Sequence, residues 1–156
     1  MSTPPVVHST FVIERRYPVA VEQVFAAFAD PARRRKWYAD SGRNAVVAFD
    51  SDFRAGGESR LVFKLGDETP FPGVEIVTTE HFHDIIENRR IVSAQLMALG
   101  GHNITSALMT IEFAPSDDGT LFTFTHQGAF FENSGGPEMR EHGWHELFDR
   151  LGERLA

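Results

Sequence analysis

The chain has 156 residues, 42% of them hydrophobic, which is enough for one domain with a sizeable core. It contains no cysteine, so disulfides, thiolate nucleophiles and thiolate metal sites are excluded. The formal net charge of −7 argues against a nucleic-acid partner, because phosphate-backbone binding uses clustered Lys and Arg. No signal peptide or bilayer-length apolar run is present, so we expect a cytoplasmic protein without membrane insertion.

The first part of the chain predicts one strand followed by two short helices. After a loose N-terminal segment, residues 1–8, the alternation of apolar and polar residues over Thr10–Tyr17 is typical of a strand. Helical spacing of apolar residues from Val21 predicts a helix that ends just before the Asp-Pro pair. Pro31 suits the first turn of a second helix, which residues 40–42 end.

The middle of the chain reads as a series of strands separated by Gly-rich and Asp-rich turns. Short runs with alternating polarity, each bounded by turn residues, are typical of an antiparallel sheet. The predicted strands are Ala45–Phe49, Glu58–Leu65, Gly73–His83, Ile91–Met97, Ser106–Phe113 and Leu121–Gln127.

The last element is a long amphipathic helix, predicted over residues 137–155. Pro137 suits its first turn, and an apolar stripe runs along one face, formed by Trp144, Leu147, Phe148, Leu151 and Leu155. Gly143 lies inside this helix, where Gly costs about 1 kcal/mol relative to Ala, so we expect a local reason for it, such as close approach of another element or cavity space.

The element order predicts an α+β domain spanning residues 1–156. We expect a curved antiparallel sheet of about six or seven strands that grips the long C-terminal helix, with two short helices after the first strand. A curved sheet cannot close on one helix along its whole length, so we expect a cavity at one end.

Several motifs resemble those of one known family. The sequence is similar to proteins related to the activator of the heat-shock-protein-90 ATPase, within the START-like (SRPBCC) superfamily. This resemblance implies the helix-grip fold with a cavity. The motifs that carry it are Phe11-Val12-Ile13-Glu14-Arg15, Asp30-Pro31, Trp37, Asp52-Phe53-Arg54-Ala55-Gly56-Gly57, Arg90-Ile91-Val92, Gly119-Thr120-Leu121-Phe122-Thr123 and Gly143-Trp144.

Apolar and aromatic residues on inward faces are the candidates to line this cavity. For each one, ordinary core packing is the alternative. His126 follows the inward alternation of Phe122 and Phe124, so its imidazole could orient a polar ligand group or act as a general base. The candidates are Trp37, Phe63, Met109, Ile111, Phe113, Phe122, Phe124, His126, Trp144 and Phe148.

Two pairs of histidines are the only pattern that suggests a metal. His81 and His83 share a strand face, and His142 and His145 share a helix face, but no cysteine supports them. We therefore expect no metal and no cofactor.

Three functions are compatible with this pattern. The first is binding of a small apolar molecule without chemistry. The alternatives are a cyclase- or aromatase-type enzyme that uses the same pocket, and a co-chaperone-like interaction module. A chaperone partner or a homodimer stays open.

Overall fold

A computed structural model describes residues 5–40 and 44–156. Seven strands form one sheet in which every neighbouring pair is antiparallel. They are β1 (Val7–Tyr17), β2 (Ala45–Ser51), β3 (Glu58–Lys64), β4 (Glu75–Ile86), β5 (Arg90–Leu99), β6 (His102–Ser116) and β7 (Gly119–Phe130). Their order across the sheet is β1-β7-β6-β5-β4-β3-β2.

Two short helices follow β1, and a long helix ends the chain. The Asp30 carboxylate caps the second of them by accepting a hydrogen bond from the Ala32 amide at 3.0 Å. A π-helical segment follows and ends at Ala39, with Asp40 as its C-cap; of the predicted break at residues 40–42, the last two lie outside the described residues. The helical elements are α1 (Val21–Ala29), α2 (Pro31–Arg34), the π-helical segment (Arg35–Ala39) and α3 (Pro137–Leu155).

The predicted helix-grip fold is confirmed, including α3 with its predicted bounds. Several strands are longer than predicted. The strand β1 begins at Val7 rather than Thr10, because its first residues pair with the far end of β7, where Val7 lies opposite Phe130. Residues 7 and 8 of the predicted loose segment therefore belong to the sheet, and residues 1–4 lie outside the described residues.

The helix α3 packs across the inner face of the sheet through large rings. Phe148 lies 4.9 Å from Phe122, and Trp144 lies 4.7 Å from Phe124, measured between ring centroids. The Tyr17 hydroxyl donates a hydrogen bond of 2.9 Å to the Phe148 carbonyl, which joins β1 to α3. These contacts fix the helix over β1 and β7.

The inner face changes character across the sheet. Over β1, β6 and β7 it carries mainly apolar side chains, whereas over β4 and β5 four polar side chains point inward. These are Thr78, Glu80, Ser93 and Gln95, each no more than 4% exposed. Buried polar groups need hydrogen-bond partners, so the interior beside β4 and β5 must supply them, unlike the aromatic core.

Candidate functional site

A cavity of ≈ 210 Å³ lies between α3 and the β3, β4 and β5 part of the sheet. Its walls are largely apolar, and the π-helical segment after α2 closes one side. Apolar walls around an open volume are typical of small-molecule sites. The apolar wall residues are Leu61, Phe63, Met97, Trp144 and Leu147.

Gly143 provides part of the open space. It lines the cavity, and beyond its own helix no atom of the described residues lies within 4 Å of the position that a Cβ would occupy. Of the two reasons expected for this glycine, the geometry fits cavity space and not close approach of another element. A larger side chain here would point into the cavity.

The polar end of the cavity is formed by three side chains from different elements. Tyr38 comes from the π-helical segment, Gln95 from β5 and Arg140 from α3. The Gln95 amide donates a weak hydrogen bond of 3.4 Å to the Tyr38 hydroxyl. Burial raises the pKa of Tyr38 to about 12, so this hydroxyl is neutral at physiological pH.

A buried ion pair lies next to Tyr38. The Arg34 guanidinium lies 2.7 Å from one oxygen of Glu80, and the Ser93 hydroxyl donates to the other oxygen at 2.6 Å. Both charged side chains are only 4% exposed. Burial lowers the pKa of the Arg34 guanidinium, but Glu80 and Tyr38 together outweigh burial, so the pKa is raised.

The same guanidinium fixes the tyrosine ring. The Arg34 Cζ lies 4.4 Å from the centroid of the Tyr38 ring, a cation–π distance. The pair between Arg34 and Glu80 therefore joins α2 to β4 and places the tyrosine at the cavity.

The structure brings two of the sequence candidates to the cavity, Phe63 and Trp144. The others do not line it and lie in the core, each no more than 5% exposed. Their contact with a ligand stays a prediction. These core residues are Trp37, Met109, Ile111, Phe113, Phe122, Phe124, His126 and Phe148.

His126 lies between aromatic rings rather than at the cavity. Its ring stacks on Phe11 with centroids 4.6 Å apart, and neither ring nitrogen has a hydrogen-bond partner among the described residues. Burial lowers the pKa of His126 from 6.5 to about 4, and the positive charge of Arg140 adds to this effect. The backbone of His126 itself has a smaller effect that raises the pKa. The imidazole is therefore neutral at pH 7.

Sequence reasoning missed the polar side chains of the site. The inward residues of β4 and β5 were readable, since they are in phase with apolar neighbours such as Ile76 and Ile91. Arg140 lies four residues before Trp144 and so continues the apolar stripe of α3 by one turn. A polar residue at a position that the sequence pattern places on the inner face is the signal that could have identified these side chains.

The histidine pairs lie apart from one another. His81 and His83 are exposed on β4, whereas the other two contact carboxylates of their own helix, with His142 Nε2 2.7 Å from Glu146. Within residues 5–40 and 44–156, no group of three or more His, Asp or Glu is arranged to hold a metal ion.

A family model described as "Activator of Hsp90 ATPase homolog 1-like protein" matches residues 18–156. The chain belongs to this family. The resemblance seen in the sequence motifs is thereby confirmed. No protein in the curated set matches the chain. In the part of the chain that is described, no helix has the length and apolar character needed to cross a membrane.

Solved structures of other bacterial proteins share the fold of this chain. An uncharacterised protein of Rhizobium leguminosarum is 31% identical, with a TM-score of 0.89 and coverage of 97% of this chain and 96% of that one. A protein of Rhizobium loti is 39% identical, with a TM-score of 0.86 and coverage of 97% and 99%. An AHSA1-like protein of Aeromonas hydrophila is 19% identical, with a TM-score of 0.68 and coverage of 94% and 92%, and shares the fold.

Proposed function

We propose that this protein binds a small, mostly apolar molecule in the cavity between α3 and strands β3, β4 and β5. The observation that carries the proposal is the open, apolar-walled space beside Gly143, next to an aromatic core that is otherwise closely packed. A filled interior would cost less to fold, because an empty cavity forfeits contacts between its walls. A ligand restores those contacts.

The size of the cavity limits the ligand. Its volume of ≈ 210 Å³ is below the usual range of about 300–1,000 Å³ for drug-sized sites. The ligand is accordingly a small molecule, or the end of a longer one that extends past the opening.

Binding fits the geometry better than the cyclase-type alternative. That alternative needs His126 or another inward polar group to move protons, and His126 does not line the cavity. A general base must reach the proton that it removes, either directly or through one water. The inward phenol of Tyr38 is held neutral by burial.

Filling the cavity from Gly143 tests the proposal. The neutral fluorescent probe N-phenyl-1-naphthylamine should bind the native protein and gain fluorescence. Gly143→Leu should lower the probe affinity at least about tenfold while keeping the melting temperature, because Leu favours the helix and its side chain enters open space. Glu153→Leu adds the same side chain to an exposed position of α3 and should leave the affinity unchanged. Equal probe affinity in all three proteins would reject the cavity as the site.

A further inference from the structure

The polar end of the cavity carries a positive charge that has no counter-ion among the described residues. Arg140 lines the cavity, and its buried Nε has no hydrogen-bond partner within that part of the chain. Burial lowers the pKa of this guanidinium, and Tyr38 opposes that effect. A largely buried cation without a carboxylate beside it destabilises the fold, so a role in binding would explain why this arginine lies at the cavity.

The nearby carboxylates are already engaged. Glu80 accepts from Arg34 and Ser93, as described above. Glu146, on the cavity wall, lies 2.7 Å from the His142 imidazole one turn before it in α3. Both carboxylates therefore have partners other than Arg140.

The second arginine on the wall is held by the backbone. The Arg150 Nη1 donates to the Trp37 carbonyl at 3.1 Å, which fixes that side chain against the π-helical segment. Arg140 has no comparable restraint on its Nε from the described residues. Of the described wall residues, two carry a guanidinium and one a carboxylate, so the cavity is positive in a protein whose formal net charge is −7.

A neutral donor lies beside Arg140. The Tyr38 hydroxyl accepts its hydrogen bond from Gln95, so its own O–H proton is available to donate. A guanidinium and a phenol at the same end of an apolar cavity offer several N–H donors and one O–H donor to a single anionic group.

We infer that the ligand is an organic acid: a small apolar skeleton that ends in one carboxylate, bound by the guanidinium of Arg140 and the hydroxyl of Tyr38. This inference rests on the proposed function, since it assigns the polar end of the same cavity. The planar guanidinium matches a carboxylate through two parallel hydrogen bonds. One unpaired cation matches the single charge of a monoacid, and the apolar walls match its skeleton.

Matched pairs of an acid and an alcohol test the inference. Octanoate is compared with 1-octanol, and 2-naphthoate with 2-naphthalenemethanol, by displacement of N-phenyl-1-naphthylamine at pH 7. The aliphatic and aromatic pairs distinguish a fatty acid from an aromatic acid. In the native protein, the acid of at least one pair should bind about tenfold tighter than its alcohol, as expected for a charged hydrogen bond.

Two variants localise the charge effect. Arg140→Met retains the apolar stem of the side chain and removes the guanidinium, so it should abolish the preference for the acid by weakening acid binding much more than alcohol binding. Arg154→Met removes the same charge from an exposed position of α3 and should keep the preference. Melting temperatures of both variants show that the fold is intact.

Each of the remaining outcomes of these binding experiments rejects a different part of the proposal. Equal affinity of the native protein for acid and alcohol overturns the inference and leaves the proposed function standing. A preference for the acid that survives in Arg140→Met overturns the role of this arginine. No binding of any of the four compounds or of the probe rejects the proposed function, and the inference fails with it.

Discussion

At the scale of single residues, the buried pair between Arg34 and Glu80 has the largest predicted effect on stability. Removing one member of such a pair leaves an uncompensated buried charge, which costs about 3–5 kcal/mol. We therefore expect Glu80→Ala to lower the free energy of unfolding by about that amount, because the Arg34 guanidinium and the Ser93 hydroxyl both lose their partner. Urea unfolding of the native protein and the variant measures the difference.

A double variant separates the charge effect from packing. Arg34→Met combined with Glu80→Leu replaces the pair by apolar side chains and should recover most of the lost stability. If the double variant is as unstable as Glu80→Ala, the pair stabilises the fold through side-chain packing rather than through charge compensation.

The buried imidazole of His126 predicts a pH dependence of stability. In the unfolded chain it takes up a proton near pH 6.5, but in the folded protein only near pH 4, because burial lowers its pKa. Between these values the unfolded state binds more protons, so stability falls as the pH falls. At about 1.4 kcal/mol per pH unit, roughly 2 kcal/mol is lost between pH 6.5 and pH 5.

Replacement of the imidazole by a phenyl ring isolates this contribution. His126→Phe retains an aromatic ring against Phe11 and cannot titrate, so its unfolding free energy should fall less between pH 7 and pH 5 than that of the native protein. The measurement is denaturant unfolding at both pH values. Identical pH profiles for the two proteins would contradict the assigned environment of His126.

For single residues, the sequence predicts which face of a strand a side chain lies on, but it does not predict the side chain's electrostatic partner. The alternation along β4 and β5 places Glu80 and Gln95 on the inner face without any structure. Glu80 forms an ion pair with Arg34, whereas Arg140 has no carboxylate of the described residues as a partner. Both facts depend on contacts between residues far apart in the chain. Sequence periodicity carries no information about such contacts.

At the scale of elements, the segment after α2 shows where local pattern fails. Trp37 and Tyr38 are adjacent, yet both are buried, with 1% and 7% exposure. The Trp37 indole donates to the Ala27 carbonyl at 2.8 Å, whereas Tyr38 lines the cavity. Sequence spacing alone predicts only an ordinary short helix here, not a π-helical segment.

Two glycines associated with α3 should respond in opposite ways to a methyl group. Gly143 lies within the helix beside open space, so Gly143→Ala should raise the free energy of unfolding by about 0.5–1 kcal/mol. Gly136, which precedes the helix, has φ = 88° with equally open surroundings, so Gly136→Ala should destabilise through backbone strain alone. Thermal unfolding of both variants measures the contrast, and stabilisation by both would contradict it.

At the scale of the whole molecule, the order of the elements was predictable and the position of the cavity was not. One long amphipathic helix after a run of alternating strands has few packing solutions, so the helix-grip fold follows from the pattern. The sequence candidates pointed to a cavity beneath α3 at β6 and β7. There, the rings of Phe122 and Phe124 contact Phe148 closely, with centroids 4.9 and 5.1 Å apart, and the open volume lies instead toward β3, β4 and β5.

The most direct test of the proposed binding site is an amide chemical-shift titration of the isotope-labelled protein with 2-naphthalenemethanol. The aromatic ring currents of this compound report position as well as binding. We expect saturable shifts at Gln95, Gly143 and Leu147, which line the cavity. Shifts confined to exposed apolar residues of the outer sheet face, such as Val12 and Leu96, or no saturable shifts at all, would contradict a ligand site between α3 and the sheet.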